Sequence, residues 1–229
     1  MLNRDLHNSY LLEVLKAIYT DTSISPVLGF KGGTAAYFFY GLERFSVDLD
    51  FDLLEEDKQG EVFKKIAKIL KKFGTIKEKY IKKNTVFFLL SYREELHNIK
   101  LEISKRNNGS QYHLQNHLGV PVLVMVREDM FAHKLVALLD RRKKANRDIF
   151  DVWFFLKNHW DVNQKLLEKR TGVSFKSYLK KCIGFIEALS DKYILDGMGE
   201  LLDQKQKAWV KTKLKNEVLF LLRVRAETV

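Results

Sequence analysis

Residues 46–53, with the sequence SVDLDFDL, alternate strictly between polar and apolar side chains. Because residues two apart in a β-strand point to the same face, the pattern predicts a strand over residues 47–53. Its apolar face would enter a core, and its other face would present acids about 7 Å apart at Cα. The polar positions are Ser46, Asp48, Asp50 and Asp52. The fold must therefore bury one face of a sheet and gather carboxylates on the other.

Carboxylates at this spacing favour a divalent-cation site, because a cation relieves their mutual repulsion. Hard oxygen ligands with open coordination positions suit Mg²⁺ or Mn²⁺. The alternative is an ordinary strand whose acids face solvent. A second alternating segment, NIKLEIS at residues 98–104, would bring Glu102 beside Asp48 and Asp50 if the two strands are neighbours. Three carboxylates from two strands would suit two-metal phosphoryl transfer, but Glu102 could equally be a surface residue.

The sequence FKGGT, at residues 30–34, precedes the acidic strand. We expect Gly32 and Gly33 to leave backbone amides uncovered just before a helix over residues 34–40. Phosphate groups bind such amides, assisted by the helix dipole. Thr34 would add a hydroxyl group or serve as the helix N-cap. Glycine pairs are also common in ordinary turns, so the position close before the acids is what favours a phosphate site.

Hydrophobic periodicity predicts a mixed α/β part over residues 1–126 and a helical part over residues 127–229. In the first part we expect helices over residues 6–20, 34–40 and 56–73. We expect strands or extended segments over residues 25–30, 47–53, 76–81, 85–92, 98–104 and 122–126. In the second part we expect helices over residues 128–140, 147–158, 161–169, 174–188 and 204–225. Residues 105–110, KRNNGS, predict a turn, and His113 and His117 are placed beside it.

The composition narrows the class of protein. A hydrophobic content of 46% in 229 residues excludes a disordered chain, and no apolar run approaches the ~20 residues that span a bilayer. We expect no secretory leader at the N-terminus. The single cysteine, Cys182, excludes an internal disulfide and fits the cytoplasm. A net charge of +11 indicates a polyanionic partner such as nucleic acid, nucleotide or an acidic protein, or simply a lysine-rich surface.

Three segments in order resemble the nucleotidyltransferase AbiEii/AbiGii toxin family of type IV toxin–antitoxin and abortive-infection systems. They are FKGGTAA…GLERFSVDLDF, IKLEIS and REDMFAHKLVALLDRRKKANRDIFDVWFF. The resemblance covers roughly residues 25–160. It implies an α/β (α+β) DNA-polymerase-β-like nucleotidyltransferase fold, with a mixed sheet and helices. A helical C-terminal half would complete the active-site cleft.

The resemblance also implies roles for individual residues. The glycine motif would grip the phosphates of a nucleoside triphosphate (NTP), and the first two acids would bind Mg²⁺ or Mn²⁺. The third carboxylate would complete the metal site or act as a base. A lysine in the helical part would hold the triphosphate, and a motif aspartate follows it. The glycine motif is Lys31, Gly32, Gly33 and Thr34, and the first two acids are Asp48 and Asp50. The third carboxylate is Glu102, the lysine is Lys134 and the aspartate is Asp148. Arg44, just before the acidic strand, would contact phosphate or form a salt bridge near Glu43.

The helical motif can also be interpreted without the family. Lys134 lies in the apolar sequence MFAHKLVALL, where it needs an anionic partner or must reach solvent along its stem. Asp148 and Asp151 are three residues apart and share a helix face. Asp148 would orient Lys134, contact the base or ribose, or cap the helix. Asp151 would pair with Arg147.

The function expected is a metal-dependent nucleotidyltransferase that moves a nucleoside monophosphate from an NTP to an acceptor. The resemblance makes tRNA or another RNA the acceptor, and it implies a growth-arresting toxin with a cognate antitoxin and no membrane association. Three alternatives remain open. They are nucleotidylation of a protein, a non-catalytic RNA- or partner-binding module on the same fold, and a metal-dependent nuclease.

Overall fold

A computed structural model describes residues 2–140 and 146–229. The chain divides into two compact units, Met1–Val126 and Arg127–Val229. Residues 141–145, RRKKA, belong to the third family-like segment and lie outside the described residues.

The first unit combines helices with a seven-stranded mixed sheet, as counted over its described residues. Its helices are α1 (Arg4–Thr20), α2 (Gly32–Tyr40) and α3 (Gln59–Leu70). Its strands are β1 (Leu28–Lys31), β2 (Leu49–Leu53), β3 (Thr75–Lys82), β4 (Thr85–Ser91), β5 (Ile99–Ser104), β6 (Tyr112–His117) and β7 (Val120–Met125). The strand order is β3-β4-β5-β2-β1-β7-β6. The expected α/β fold with a mixed sheet is confirmed.

Strand β2 lies at the centre of the sheet and pairs parallel with β5 and antiparallel with β1. The two acidic strands are therefore neighbours, which is the condition on which the grouping of Glu102 with the aspartates depended. The apolar side chains of β2 enter the core: Leu49 and Phe51 are fully buried and Leu53 is nearly so. Helix α3 packs against β3 and β4 and also against α1, which contacts β7. Strand β2 is paired on both of its edges, so the register determines which residues of β1 and β5 lie beside each of its polar residues.

Helix α2 begins at Gly32, two residues earlier than predicted, and β2 begins at Leu49, two residues later. Gly32 has a φ of +80°, so it reverses the chain directly from the end of β1 into the helix. The glycines therefore form the first turn of α2 and do not precede it. The N-cap of α2 is Lys31, so the prediction that Thr34 caps the helix is wrong.

Residues 112–117, which the sequence placed beside a turn and did not predict as a strand, form β6. Strand β6 pairs antiparallel with β7 through a two-residue connection, Leu118 and Gly119, with φ values of 50° and 83°. Hairpins favour this conformation, but Asn-Gly or Asp-Gly is its usual sequence signal. Strand β6 is a polar edge strand, so it lacks the apolar alternation that predicts a strand. Its turn contains a leucine where Asn or Asp is usual, so it lacks the sequence signal of a hairpin.

The second unit is helical. It contains α4 (Arg127–Asp140), α5 (Arg147–Lys157), α6 (Gln164–Thr171), α7 (Phe175–Glu187), α8 (Gln204–Trp209) and α9 (Lys215–Glu227). A π-helical turn, Val210–Leu214, joins α8 to α9, so the predicted helix over residues 204–225 is one rod with a local change of winding. Helix α9 packs on α5 and α7, and α4 packs on α5. None of the described helices combines the length and apolarity needed to cross a bilayer.

Cys182 lies on α7 and is completely buried. Burial raises the pKa of its thiol to about 12 because the thiolate is poorly solvated in the core. The residue therefore acts as a small core side chain, as expected from the sequence.

Modification of Cys182 by a thiol reagent provides a test of this packing. At pH 8 the thiolate fraction in the native protein would be on the order of 10⁻⁴, whereas an unfolded thiol ionises near pH 8.5. We expect the native protein to resist 5,5′-dithiobis(2-nitrobenzoate) and to react fully once denatured. Absorbance of the released thiolate measures both rates. Rapid stoichiometric reaction of the native protein would contradict the described core.

Candidate active site

Asp50 lies at the centre of the polar face of the sheet. The register places it opposite Lys31 of β1 on one side and opposite Glu102 of β5 on the other. Residues in register point to the same face of a sheet, so these three side chains share one surface. Asp50 is half-buried and Glu102 is exposed. A cation, an anion and a second anion thus lie side by side across three neighbouring strands.

Asp48 precedes β2 and is also half-buried. The hydroxyl of Thr34, which is fully buried, donates a hydrogen bond to the main-chain carbonyl of Asp48. The Oγ atoms of Thr34 and Ser46 lie 2.9 Å apart. The glycine motif therefore holds the backbone of the first acid through the Thr34 side chain.

The glycine bend, defined here as Gly32 and Gly33, approaches the acids closely. A Cβ atom added to Gly32 would lie 2.5 Å from Oδ2 of Asp50. A Cβ atom added to Gly33 would lie 2.9 Å from Nη2 of Arg44 and 2.9 Å from Oγ of Ser46. All three distances are too short for a real side chain without a shift of its neighbours. The missing Cβ at Gly32 therefore lets the main chain meet the Asp50 carboxylate, and the missing Cβ at Gly33 leaves room for Arg44 and Ser46.

Arg44 lies beneath the glycine bend with only 2% of its surface exposed. Its Nη1 atom donates a hydrogen bond of 3.0 Å to the carbonyl of Phe45. The sequence allowed a phosphate contact or a salt bridge near Glu43. In the structure the guanidinium supports the backbone that enters the acidic strand.

Asp52, the third acid of the alternating segment, is buried and has one partner on the neighbouring strand β1 and another on β6. Nζ of Lys31 lies 2.5 Å from its Oδ1, and the hydroxyl of Tyr112 donates to its Oδ2. Tyr112 belongs to β6, so sequence reasoning missed this contact together with the strand. The interactions neutralise Asp52 and fix the side chain of Lys31 on the same surface as Asp50.

In the helical unit, Lys134 of α4 pairs with two aspartates of α5. Its Nζ atom lies 2.9 Å from Oδ1 of Asp148 and 2.8 Å from Oδ2 of Asp151. All three side chains are at least nine-tenths buried. The expected anionic partner of Lys134 is thus present, and it is a pair of carboxylates. The structure pairs Asp151 with Lys134, a partner that the sequence did not suggest for it.

The fit of a divalent cation depends on the carboxylates of the first unit. Over residues 2–140 and 146–229, no group of three or more His, Cys, Asp or Glu side chains is placed to hold a metal ion. Asp48, Asp50 and Glu102 are therefore not assembled as a three-carboxylate cluster. Mg²⁺, however, usually takes one or two carboxylates and completes its shell with water and substrate phosphates. Asp48 and Asp50 supply hard oxygen donors of that kind.

The chain is similar to a known protein family and to proteins of known structure. The family described as nucleotidyl transferase AbiEii toxin, type IV TA system, matches residues 14–217. A protein from H. pylori assigned as a nucleotidyltransferase is 22% identical, with a TM-score of 0.65 over 98% of this chain and 95% of that chain. JHP933 from Helicobacter pylori is also 22% identical, with a TM-score of 0.58 over 100% of this chain and 97% of that chain. No curated protein sequence matches. The structural likeness shows the fold.

Substitution of Gly32 by alanine tests the contact between the bend and Asp50. Gly41→Ala is a matched control, because Gly41 has a similar φ of 71° but no atom within 4 Å of an added Cβ. Each change should cost about 1–2 kcal/mol for the left-handed backbone. Gly32→Ala should cost a further ~1–3 kcal/mol, because its methyl group must displace the Asp50 side chain. Urea unfolding measures both losses. Equal losses would show that the contact is loose.

Proposed function

The chain belongs to the AbiEii nucleotidyl transferase toxin family of type IV toxin–antitoxin systems, and we propose from this that it transfers a nucleoside monophosphate from an NTP to RNA. The proposed acceptor is tRNA, and the proposed cofactor is Mg²⁺ or Mn²⁺. The family and the fold support a transferase. The finer assignments depend on the site in the first unit.

One observation supports the proposal above the others. The Asp50 side chain lies against the glycine bend and in register with Glu102 on the neighbouring strand. Phosphate-binding amides and metal-binding carboxylates are thereby adjacent, which is what phosphoryl transfer requires of a protein. A solvent-facing strand with unrelated acids would not need a glycine at position 32, where the missing Cβ makes room for the Asp50 carboxylate.

Asp48 and Asp50 would hold the divalent cation. When bound, the cation would neutralise charge on the triphosphate and lower the pKa of the attacking hydroxyl group. The amides of the bend, at the N-terminus of the nine-residue helix α2, would bind phosphate oxygens. The close Asp50 carboxylate repels an anion at this position unless a cation lies between them, so the two functions depend on each other.

The proposed transfer is a single displacement at the α-phosphorus of the NTP. The hydroxyl oxygen of the acceptor forms a bond to the α-phosphorus, and the bond from that phosphorus to the bridging oxygen of pyrophosphate breaks. Pyrophosphate leaves with the electron pair. Glu102, exposed and in register with Asp50, is the proposed acceptor of the hydroxyl proton, which it can pass to water.

Lys134 and Asp148 belong to the helical unit, and the role of Lys134 in binding the triphosphate stays a prediction. The contacts there support the idea that the aspartates orient the lysine. An ammonium group has three N–H donors, and two of them point to Asp148 and Asp151. The two aspartates therefore fix the position of the Lys134 ammonium group between them.

The proposed biological role is that of a cytoplasmic toxin countered by a cognate antitoxin, as in the family. The net charge of +11 supports a polyanionic acceptor because it attracts the phosphate backbone of RNA. Nucleotidylation of a protein is the second candidate, since the same chemistry acts on any hydroxyl acceptor.

The experiment is expression of the wild type, Asp50→Asn and Asp57→Asn in cells, followed by mass analysis of tRNA. Asp57 is an exposed acid outside the site and controls for the change of charge. We expect added nucleotides on tRNA with the wild type and with Asp57→Asn. We expect none with Asp50→Asn, whose amide removes the negative charge while it keeps the shape.

Each alternative predicts a different result. Label from an NTP in the protein fraction and none in tRNA would favour a protein acceptor. Shortened RNA would indicate a nuclease. Growth arrest by folded Asp50→Asn with no labelled acceptor would contradict the enzymatic proposal and favour a binding module.

A further inference from the structure

The segment that leads into the acidic strand, residues 45–48, is held by side chains and not by the sheet. It has no regular secondary structure, yet Phe45, Ser46 and Val47 are all buried. Buried backbone carbonyls need hydrogen-bond donors, and here the ladder does not provide them. The orientation of Asp48 therefore depends on whichever groups supply those donors.

Three carbonyls of this segment accept hydrogen bonds from side chains. Arg44 Nη1 donates to Phe45 at 3.0 Å, and Thr34 donates to Asp48. Nε2 of His7 lies 3.0 Å from the carbonyl oxygen of Val47. His7 comes from α1, far away in sequence, and is completely buried. Thr34 and Arg44 lie between the glycine bend and the acidic strand in sequence, whereas His7 lies outside that part of the chain.

The surroundings of His7 fix the position of its proton. A carbonyl oxygen only accepts, so Nε2 must bear the hydrogen. The hydroxyl of Tyr92 lies 2.8 Å from Nδ1 and donates to it when the ring is neutral. Burial lowers the pKa of His7, which favours that neutral ring. The imidazole is thus a rigid bridge from Tyr92 to the main chain beside Asp48.

We propose that His7 is a positioning residue for Asp48. Its Nε2–H holds the carbonyl of Val47, and because the peptide bond is planar it also fixes the amide nitrogen and Cα of Asp48. With its backbone fixed in this way, Asp48 can direct its carboxylate toward the side of Asp50 with fewer backbone conformations to exclude. This inference rests on the proposed function and goes beyond the family match, which begins at residue 14.

The test is Mn²⁺ binding, followed by electron paramagnetic resonance without nucleotide, together with kcat and KM for nucleotide addition to tRNA. The variants are His7→Leu, which removes the donor, and His7→Gln, whose amide nitrogen can replace Nε2. Tyr19→Phe is the matched control, because the buried Tyr19 hydroxyl donates to carbonyls of Leu28 and Leu123 away from Asp48.

We expect His7→Leu to bind Mn²⁺ about 10-fold more weakly, as for other residues that orient a metal ligand, and to lower kcat more than it changes KM. His7→Gln should recover most of both losses. Tyr19→Phe should lower the melting temperature by a few degrees and leave Mn²⁺ affinity within about twofold of the wild type. If His7→Leu does not fold, Tyr92→Phe frees the ring and should weaken Mn²⁺ binding by a smaller factor.

Different failures separate the two ideas. A wild type that binds Mn²⁺ and extends tRNA, with His7→Leu and Tyr92→Phe binding Mn²⁺ as tightly, overturns the role of His7 and leaves the proposed function intact. Equal losses in His7→Gln and His7→Leu that match the loss of Tyr19→Phe would also overturn it, since they would show a purely structural effect. A wild type without Mn²⁺ binding or transfer overturns both.

Discussion

The close approach of the Gly32 backbone to the Asp50 carboxylate is the constraint on which the site depends. Strand β2 can present Asp50 at this point only because β1 lies in register beside it and then turns at once into α2. A side chain at Gly32 would occupy the space of the carboxylate. The positive φ of Gly32 and the missing Cβ thus meet two requirements at a single position: the reversal of the chain and the contact with the acid.

Buried polar contacts maintain this arrangement at both ends of β2. Lys31 and Tyr112 hold Asp52, while Thr34, Arg44 and His7 hold the backbone that leads to Asp48. Each donor is buried or partly buried, where an unmade hydrogen bond costs more than it does in water. The Asp52 side chain and the main chain that leads to Asp48 are therefore held in place. A main chain that is fixed before the cation binds reduces the reorganisation that binding would otherwise require.

The sequence predicted much of this because its patterns are local. Alternation over residues 46–53 predicted a strand with acids on one face, and a second alternating segment predicted its neighbour, which β5 confirms. Most helix positions followed from periodic apolar residues, such as the buried Val210, Leu214 and Val218. The boundaries near the site were less accurate. A glycine with positive φ can start a helix without a capping side chain, and a buried segment without a ladder resembles a strand in sequence.

Contacts between distant segments could not be predicted. His7 reaches Val47, and Tyr112 reaches Asp52, from elements that show no pattern related to the acids. Strand β6 is a polar edge strand with an unusual turn, so Tyr112 had no visible partner. In the helical unit, spacing placed Asp148 and Asp151 on one face but did not show that both contact Lys134. Such pairings are set by tertiary packing, which local pattern does not encode.

The central claim is that Asp48, Asp50 and the glycine bend form one site for a cation and a triphosphate. The most direct test is a crystal structure of the protein with Mn²⁺ and a non-hydrolysable NTP analogue, with the metal located by anomalous scattering. We expect Mn²⁺ bound to carboxylate oxygens of both aspartates, with phosphate oxygens at the amides of Gly32 and Gly33. Mn²⁺ bound at other carboxylates, or a triphosphate bound away from the bend, would contradict this claim.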